Sequence, residues 1–324
     1  MSGDGFDSLL EHLVPGSGRG GMNDGDAPAF PKGLGLEPLG VIGRGGVGWV
    51  YRARDPVLDR EVAVKISRPD GGEVARKTLL REAQITAGLE HPAILPVHRV
   101  FAAEGLLCVE FRLAPVTTLA AVLADERGRT APNWPLSTRL RQLRGVVDAL
   151  RLAHERGIVH GDIHPSNVAI GTSGAPYVMD WGGVFHQTDR FSGVADYASP
   201  EQLRGEPPSS ASDVYALGVL GWELCTLRQM RPRRPGESLG DYIGRWRDAH
   251  VIRPTEFVAD LDPALDQLIV DALEPDPAAR LAAGGFGTRL EEIETGHAEE
   301  ARRQALAGSL LDGSRQALGL SHEL

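Results

Sequence analysis

The sequence predicts an α+β fold of two lobes, a small β-rich lobe followed by a larger, mainly helical one. Three observations lead there. Between Leu36 and Leu113 short β-branched runs are broken by glycine and accompanied by a single helical stretch. Beyond Pro115 helical patterns dominate. A chain of 324 residues with 42% hydrophobic content buries a large core, enough for about two folding units with length left for tails.

The elements follow in order. Residues 1–35 are rich in Gly, Asp, Ser and Pro ("PGSGRGGMNDGDAP") and bury too little apolar surface to offset the entropy of ordering, so a flexible tail is expected. Within it "FDSLLEHLV" sets Phe6, Leu9, Leu10 and Leu13 at helical spacing, which leaves a partner-binding segment open. The small lobe spans residues 36–114. In it "LGVIG" and "GWVYRARD" flank a glycine-rich turn, "REVAVKIS" is a third strand, "EVARKTLLREAQITAGL" is a helix, and "LLCVEF" is a closing buried strand. The large lobe spans 115–285, with "DERGRTAPNWP" a polar loop and "STRLRQLRGVVDALRLAHERG" a helix ended by Gly157. "SDVYALGVLGWELCTL" is apolar enough for a buried central helix. Residues 286–324 form a helical extension, read as a solvated terminal helix that offers a second route to a partner, with packing on the large lobe as the alternative.

A net charge of −10 and a pI near 5.5 argue against a dedicated nucleic-acid or anionic-membrane binder, because binding phosphate at scale needs a basic face. Cys108 and Cys225 lie in apolar segments and read as buried reduced thiols. No apolar run is long enough to span a bilayer and no secretory signal layout opens the chain, so a cytoplasmic location is expected.

The chemistry begins with "GRGGVGWV". Gly43, Gly45 and Gly48 match G-x-G-x-x-G-x-V, where a backbone approaches phosphate with no side chains in the way. The next strand carries "VAVK", and Lys65 on it can reach the α- and β-phosphates of a nucleotide. Val62, Ala63, Val64 and Ile66 imply a largely buried strand, so its ammonium needs a partner. Glu82 in "LLREAQIT" is preferred over Glu73 and Glu90, because it shares a side of the helix with Leu79 and Ala83.

With these residues the chain resembles the protein kinase superfamily, specifically bacterial serine/threonine kinases of eukaryotic type. The resemblance covers about Leu36 to Leu281, with "GRGGVGWV", "VAVK", "REAQITAGLEHPAILPV", "HGDIHPSN", "DWG", "YASPEQ", "SDVYALGVLGWEL" and "PDPAAR" in order. It implies a bilobal protein-kinase-like fold and ATP-dependent phosphoryl transfer to protein hydroxyls. It further implies that Asp162 is the catalytic base and that Asn167 and Asp180 hold Mg2+. By the same resemblance Val50, Ala63, Val109 and Ala169 form an apolar slot for adenine, and the main chain of Glu110 to Arg112 offers hydrogen bonds at the lobe connection. Glu201 would pair with Arg280, and Asp213 would hold the backbone of the catalytic loop.

The departures cluster around Asp162. Gly161 stands where many members carry an arginine that receives a phosphate, His164 where a lysine touches the transferring phosphate, and Val194 where a threonine is expected. His164 is a candidate donor to that phosphate. "HGDIHPSN" with "MDWG" also resembles the catalytic loop of aminoglycoside and choline phosphotransferases. Three readings stand: a protein kinase acting on unknown protein substrates, a nucleotide-binding pseudokinase or scaffold, and a small-molecule phosphotransferase.

Overall fold

The computed structural model describes residues 28–44, 48–113, 117–129, 133–182, 195–247 and 251–317. Gly45, the segment Phe6–Leu13 and positions Thr188, Ser192 and Val194 lie outside them.

The small lobe is a five-stranded antiparallel sheet in the order β1-β2-β3-β5-β4. Its strands are β1 (Glu37–Arg44), β2 (Gly48–Asp55), β3 (Arg60–Ser67), β4 (Val97–Ala103) and β5 (Leu106–Arg112). The expected strands are there; β4, whose residues alternate only loosely between half-buried and exposed, is additional. Helix α1 (Gly72–Gly88) buries Ala75, Leu79, Glu82, Ala83, Ile85 and Thr86. Two apolar clusters sandwich the sheet. Val50, Ala63, Val109 and Phe111 join Leu79 and Ala83 of α1 on one face, while Trp49, Tyr51, Val62, Val64, Ile66 and Cys108 fill the other. This is the period-two alternation of a strand.

The described end of the expected tail differs from a free chain. Phe30 and Leu34 pack on the outer face of the sheet, Phe30 edge-on to Tyr51 at 5.3 Å between centroids, and the Tyr51 hydroxyl donates to Pro28 O. Two apolar side chains in a polar stretch suffice to pin it.

The large lobe is built on α3 (Leu136–Glu155) and α5 (Ser210–Thr226), with α2 (Leu119–Arg127), α4 (Pro200–Leu203), α6 (Leu239–Trp246), α7 (Pro263–Ala272) and α8 (Ala283–Ala317) around them. Helix α5 is buried from Ser212 to Thr226 and opens with a reciprocal Ser209–Ser212 capping box. Trp181, Trp222, Leu143, Leu150, Leu220, Leu268 and Phe286 share one core. A small sheet, β6 (Thr117–Thr118), β7 (Val168–Ile170) and β8 (Pro176–Val178), stands where the lobes meet. Three-residue strands carry too little periodicity to be read from sequence.

The C-terminal helix is not solvated along its whole length. Phe286, Leu290 and Ile293 are buried in the lobe core, and Arg144 of α3 reaches Glu291 at 3.1 Å and Glu294 at 3.2 Å. The i, i+4, i+7 stripe is diluted by three glycines and several glutamates, which is why composition alone reads as exposed. Among the described residues no helix is long and apolar enough to cross a membrane. Both cysteines are buried and free, and burial pushes Cys108 up to about 11 and Cys225 to about 12, so both are thiols at neutral pH.

Candidate active site

The first component sits on β3 and α1. Lys65 Nζ donates to both Glu82 oxygens, at 2.8 and 2.7 Å, and the two side chains are 3% and 2% exposed. Burial of the Glu82 carboxyl, helped by the charge of Asp180 and opposed by Lys65, raises it to about 7. Three ionisable groups thus converge in a dry space, two of them acidic. Glu73 instead pairs with Lys77 on the exposed side of α1, four residues on.

The second component is the loop Ile158–Asn167 together with the turn after β8. Asp162 is half-buried; His164 is 2% exposed, its Nε2 3.6 Å from Asp162 Oδ2 and its ring 6.1 Å from that of Tyr197. Asn167 ends a 3-10 turn over Pro165–Asn167 and donates from Nδ2 to Asp162 O at 2.9 Å, while its own carbonyl accepts from Met179 N at 3.0 Å. Its amide orientation is therefore set, and Oδ1 is the atom left over. Asp180 adopts φ 57°, a left-handed conformation uncommon for a residue with a side chain. Such strain persists only where the surroundings impose it. A methyl group placed on Gly182 would lie 3.4 Å from Glu82 Cγ and 3.6 Å from Asp180 Oδ1, ordinary contact distances, so Gly182 borders both acids.

Asn167 Oδ1 and Asp180 Oδ1 are closed from solvent and accept no hydrogen bond among the described residues. Buried polar atoms are nearly always satisfied, so two orphaned hard oxygens from adjoining turns suit a hard divalent cation.

Val50, Ala63, Val109 and Ala169, from four different strands, meet in one cluster with Leu95 and Met179. The first four are 2%, 6%, 0% and 1% exposed. Three of the expected residues carry further contacts. The Arg112 amide already donates to Pro96 O at 3.0 Å, so the hydrogen bond expected of it at the lobe connection is engaged. Glu110 turns its side chain to the outer face, where it meets Arg99 at 2.5 Å, His98 at 3.2 Å and Arg60 at 3.3 Å. Gly48 has a packing reason of its own: a Cβ there would sit 2.1 Å from Ile66 O across the β2–β3 pair. Gly43 is buried in β1.

Around this centre the expected ties are formed. Asp213 of α5 accepts from Gly161 N at 2.7 Å and His160 N at 2.9 Å, and lies 2.8 Å from His154 Nε2. Glu201 and Arg280 make two hydrogen bonds at 2.7 and 3.1 Å. Burial would raise the Glu201 carboxyl, but the Arg280 guanidinium outweighs it and holds it below its usual range. Sequence reasoning missed His160, fully buried, whose Nε2 lies 2.7 Å from Met179 O and whose ring stands edge-on to Trp181 at 4.9 Å. It ties the Asp162 loop to the Asp180 turn, and its place two residues before Asp162 was the available signal.

Comparison with known proteins agrees with this architecture. The protein kinase domain family matches residues 36–287. Serine/threonine-protein kinase PknD of Chlamydia abortus is 29% identical over 274 residues, covering 74% of this chain and 29% of that protein. PknD of Mycobacterium tuberculosis is 31% identical over 261 residues (76% and 38%), and a probable serine/threonine-protein kinase of Streptomyces coelicolor is 33% identical over 258 (74% and 37%). The chain thus spans well under half the length of these curated relatives. Among solved structures, the kinase domain of Mycobacterium tuberculosis PknI superposes with a TM-score of 0.59 at 24% identity, over 80% of this chain and 95% of that one. The lobes, the lysine–glutamate pair and the family match together establish that this chain belongs to the protein kinase domain family, with bacterial serine/threonine-protein kinases among its relatives.

Proposed function

We infer that the protein transfers the γ-phosphoryl group of ATP to serine or threonine hydroxyls of protein substrates. The observation that carries this reading is the closed set of groups between the lobes: Lys65 gripped by both Glu82 oxygens, with the orphaned oxygens of Asn167 and Asp180 beside it. Val50, Ala63, Val109 and Ala169 would cover the adenine. Lys65, aimed by Glu82, would meet the α- and β-phosphates. Asn167 and Asp180 would hold Mg2+, which when bound neutralises phosphate charge. Asp162, half-buried and therefore reachable, would accept the proton of the substrate hydroxyl as its oxygen bonds to the γ-phosphorus and the bond to the β-phosphate oxygen breaks.

His164 would add a hydrogen-bond donor where the transferring phosphate's charge develops. Its placement 3.6 Å from Asp162 supports a role beside the base.

The test is ATP turnover with a generic protein, with an aminoglycoside and with no acceptor. Lys65→Met and Asp180→Asn should each abolish transfer to protein. Asp162→Asn should abolish it while ATP binding, read by nucleotide-dependent thermal shift, stays largely intact. Turnover persisting in all three variants refutes the reading, and transfer only to the aminoglycoside replaces it with a small-molecule phosphotransferase.

A further inference from the structure

Gly161 precedes Asp162 and takes φ 81°, a conformation that glycine enters freely and leaves as freely. With no side chain at this position, the local tie on the two peptide planes that flank it is a long one: the Asp162 amide donates to His160 Nδ1 at 3.3 Å. The structure fixes both from outside. The plane between His160 and Gly161 is held by its N–H, which donates to Asp213 Oδ1 at 2.7 Å. The plane between Gly161 and Asp162 is held by its carbonyl, which accepts from Gln202 Nε2 at 3.0 Å. That second plane contains the Asp162 amide, so its tilt sets where the Asp162 Cα and carboxylate lie.

Gln202 is well prepared for this bond. It is 6% exposed, and its Oε1 accepts from Ser199 N at 3.0 Å and Ser199 Oγ at 3.1 Å, closing a capping box at the start of α4. Two donors on Oε1 leave only Nε2 to face Gly161, so the amide orientation follows from the network. α4 is in turn anchored by the Glu201–Arg280 pair. A chain of short contacts therefore runs from Arg280 through α4 to the carbonyl next to Asp162.

We propose that Gln202 is a positioning residue for catalysis: it clamps the Gly161–Asp162 peptide plane, as Asp213 clamps the plane before it, and holds Asp162 in place where no arginine is available to do so. The proposal rests on the phosphotransfer reading above, with Asp162 as base. It also gives the chain a brace on the catalytic loop that contains no phosphate.

The experiment uses the full chain. Gln202→Glu is isosteric and retains an acceptor for Ser199, but presents a carboxylate oxygen to the Gly161 carbonyl in place of a donor. Gln202→Met keeps the volume and removes all three side-chain hydrogen bonds, and serves if the first variant fails to fold. Both should lower kcat by about 10-fold or more, the scale of displacing a catalytic group by a fraction of an ångström to an ångström, while the KM for ATP and the ATP-dependent thermal shift stay at wild-type values. A folded variant with kcat within about twofold of wild type, where no misplacement can be inferred, overturns the proposal. So does a parallel loss of ATP binding, which would mark a general structural role. Absence of any transfer by the wild-type protein overturns the phosphotransfer reading itself, a result distinct from either of these.

Discussion

Replacing Asp213 by asparagine removes one charge and changes almost no volume, which makes it a sharp probe of the loop that carries Asp162. Asp213 is 1% exposed and its two oxygens serve three partners: Oδ1 takes Gly161 N–H, and Oδ2 takes His160 N–H and faces His154 Nε2. Asparagine has one acceptor oxygen. Whichever way its amide turns, an NH2 group confronts at least one backbone N–H that is sealed from water. A hydrogen bond to a charged acceptor is worth roughly 1.5–3 kcal/mol, and a stranded buried donor costs roughly 1–3 kcal/mol, with overlap between the two. A destabilisation of about 2–4 kcal/mol follows, which for a domain of this size lowers Tm by about 4–16 °C. Because the same peptide planes lead into Asp162, kcat should fall by at least about 10-fold in protein that remains folded at the assay temperature. Thermal unfolding followed by circular dichroism, together with turnover well below the lowered Tm, measures both. A Tm within about 1 °C of wild type with unchanged kcat would show that Asp213 does not hold the loop, and would remove the physical basis for reading Gly161 as externally clamped.

Arg280→Met leaves Glu201 buried without its guanidinium and should cost about 3–5 kcal/mol in chemical denaturation. The Glu201 carboxyl is held below its usual range in the folded protein, so its stabilisation is present above the unfolded-state carboxylate range near pH 4.3 and is lost as pH falls through the folded value. The gap between variant and wild type should therefore narrow below about pH 4, and a gap independent of pH contradicts the pairing argument. His164→Ala should lower kcat by roughly 10-fold to 100-fold, as for the loss of one donor to the transferring phosphate, with His164→Lys retaining more activity; equal rates in all three forms would reduce the histidine to a loop residue. Phosphatase-treated protein should keep most of its activity, because Gly161 offers no guanidinium to a phosphate on Thr188, Ser192 or Ser199, the serines and threonine between Asp180 and Glu201, and Ser199 is fully buried as the cap of α4. Loss of most activity on treatment, reproduced by Thr188→Ala, would contradict this.

Much of the molecule was legible in the order of its residues. Short β-branched runs in "GWVYRARD" and "REVAVKIS" specified two strands with the bounds they adopt, the second buried on both faces from Val62 to Ser67, as its near-continuous apolar residues imply. The near-continuous apolar run of α5 specified a central buried helix for the same reason. Glu82 could be preferred over Glu73 from helical periodicity alone, since only the former shares a face with Leu79 and Ala83. Those are local consequences of backbone period, and they need no knowledge of what lies opposite.

Tertiary structure decided everything that depends on two distant segments meeting. Nothing local indicated that Phe30 and Leu34 would cover the outer face of the sheet, or that a glycine-diluted stripe of Phe286, Leu290 and Ile293 would find α3, because such burial is a property of the surface that receives it. Gly48 looked like a phosphate-loop glycine and also proved to be a requirement of β2–β3 packing, through a carbonyl eighteen residues away. The orphaned oxygens of Asn167 and Asp180 became visible only once every neighbouring donor had been placed, and the same holds for Gln202. Its role depends on a 3.0 Å contact across 41 residues of chain to the carbonyl beside Asp162. A sequence names the groups able to do chemistry; the distances that make them act together come from the packing of segments remote in the chain.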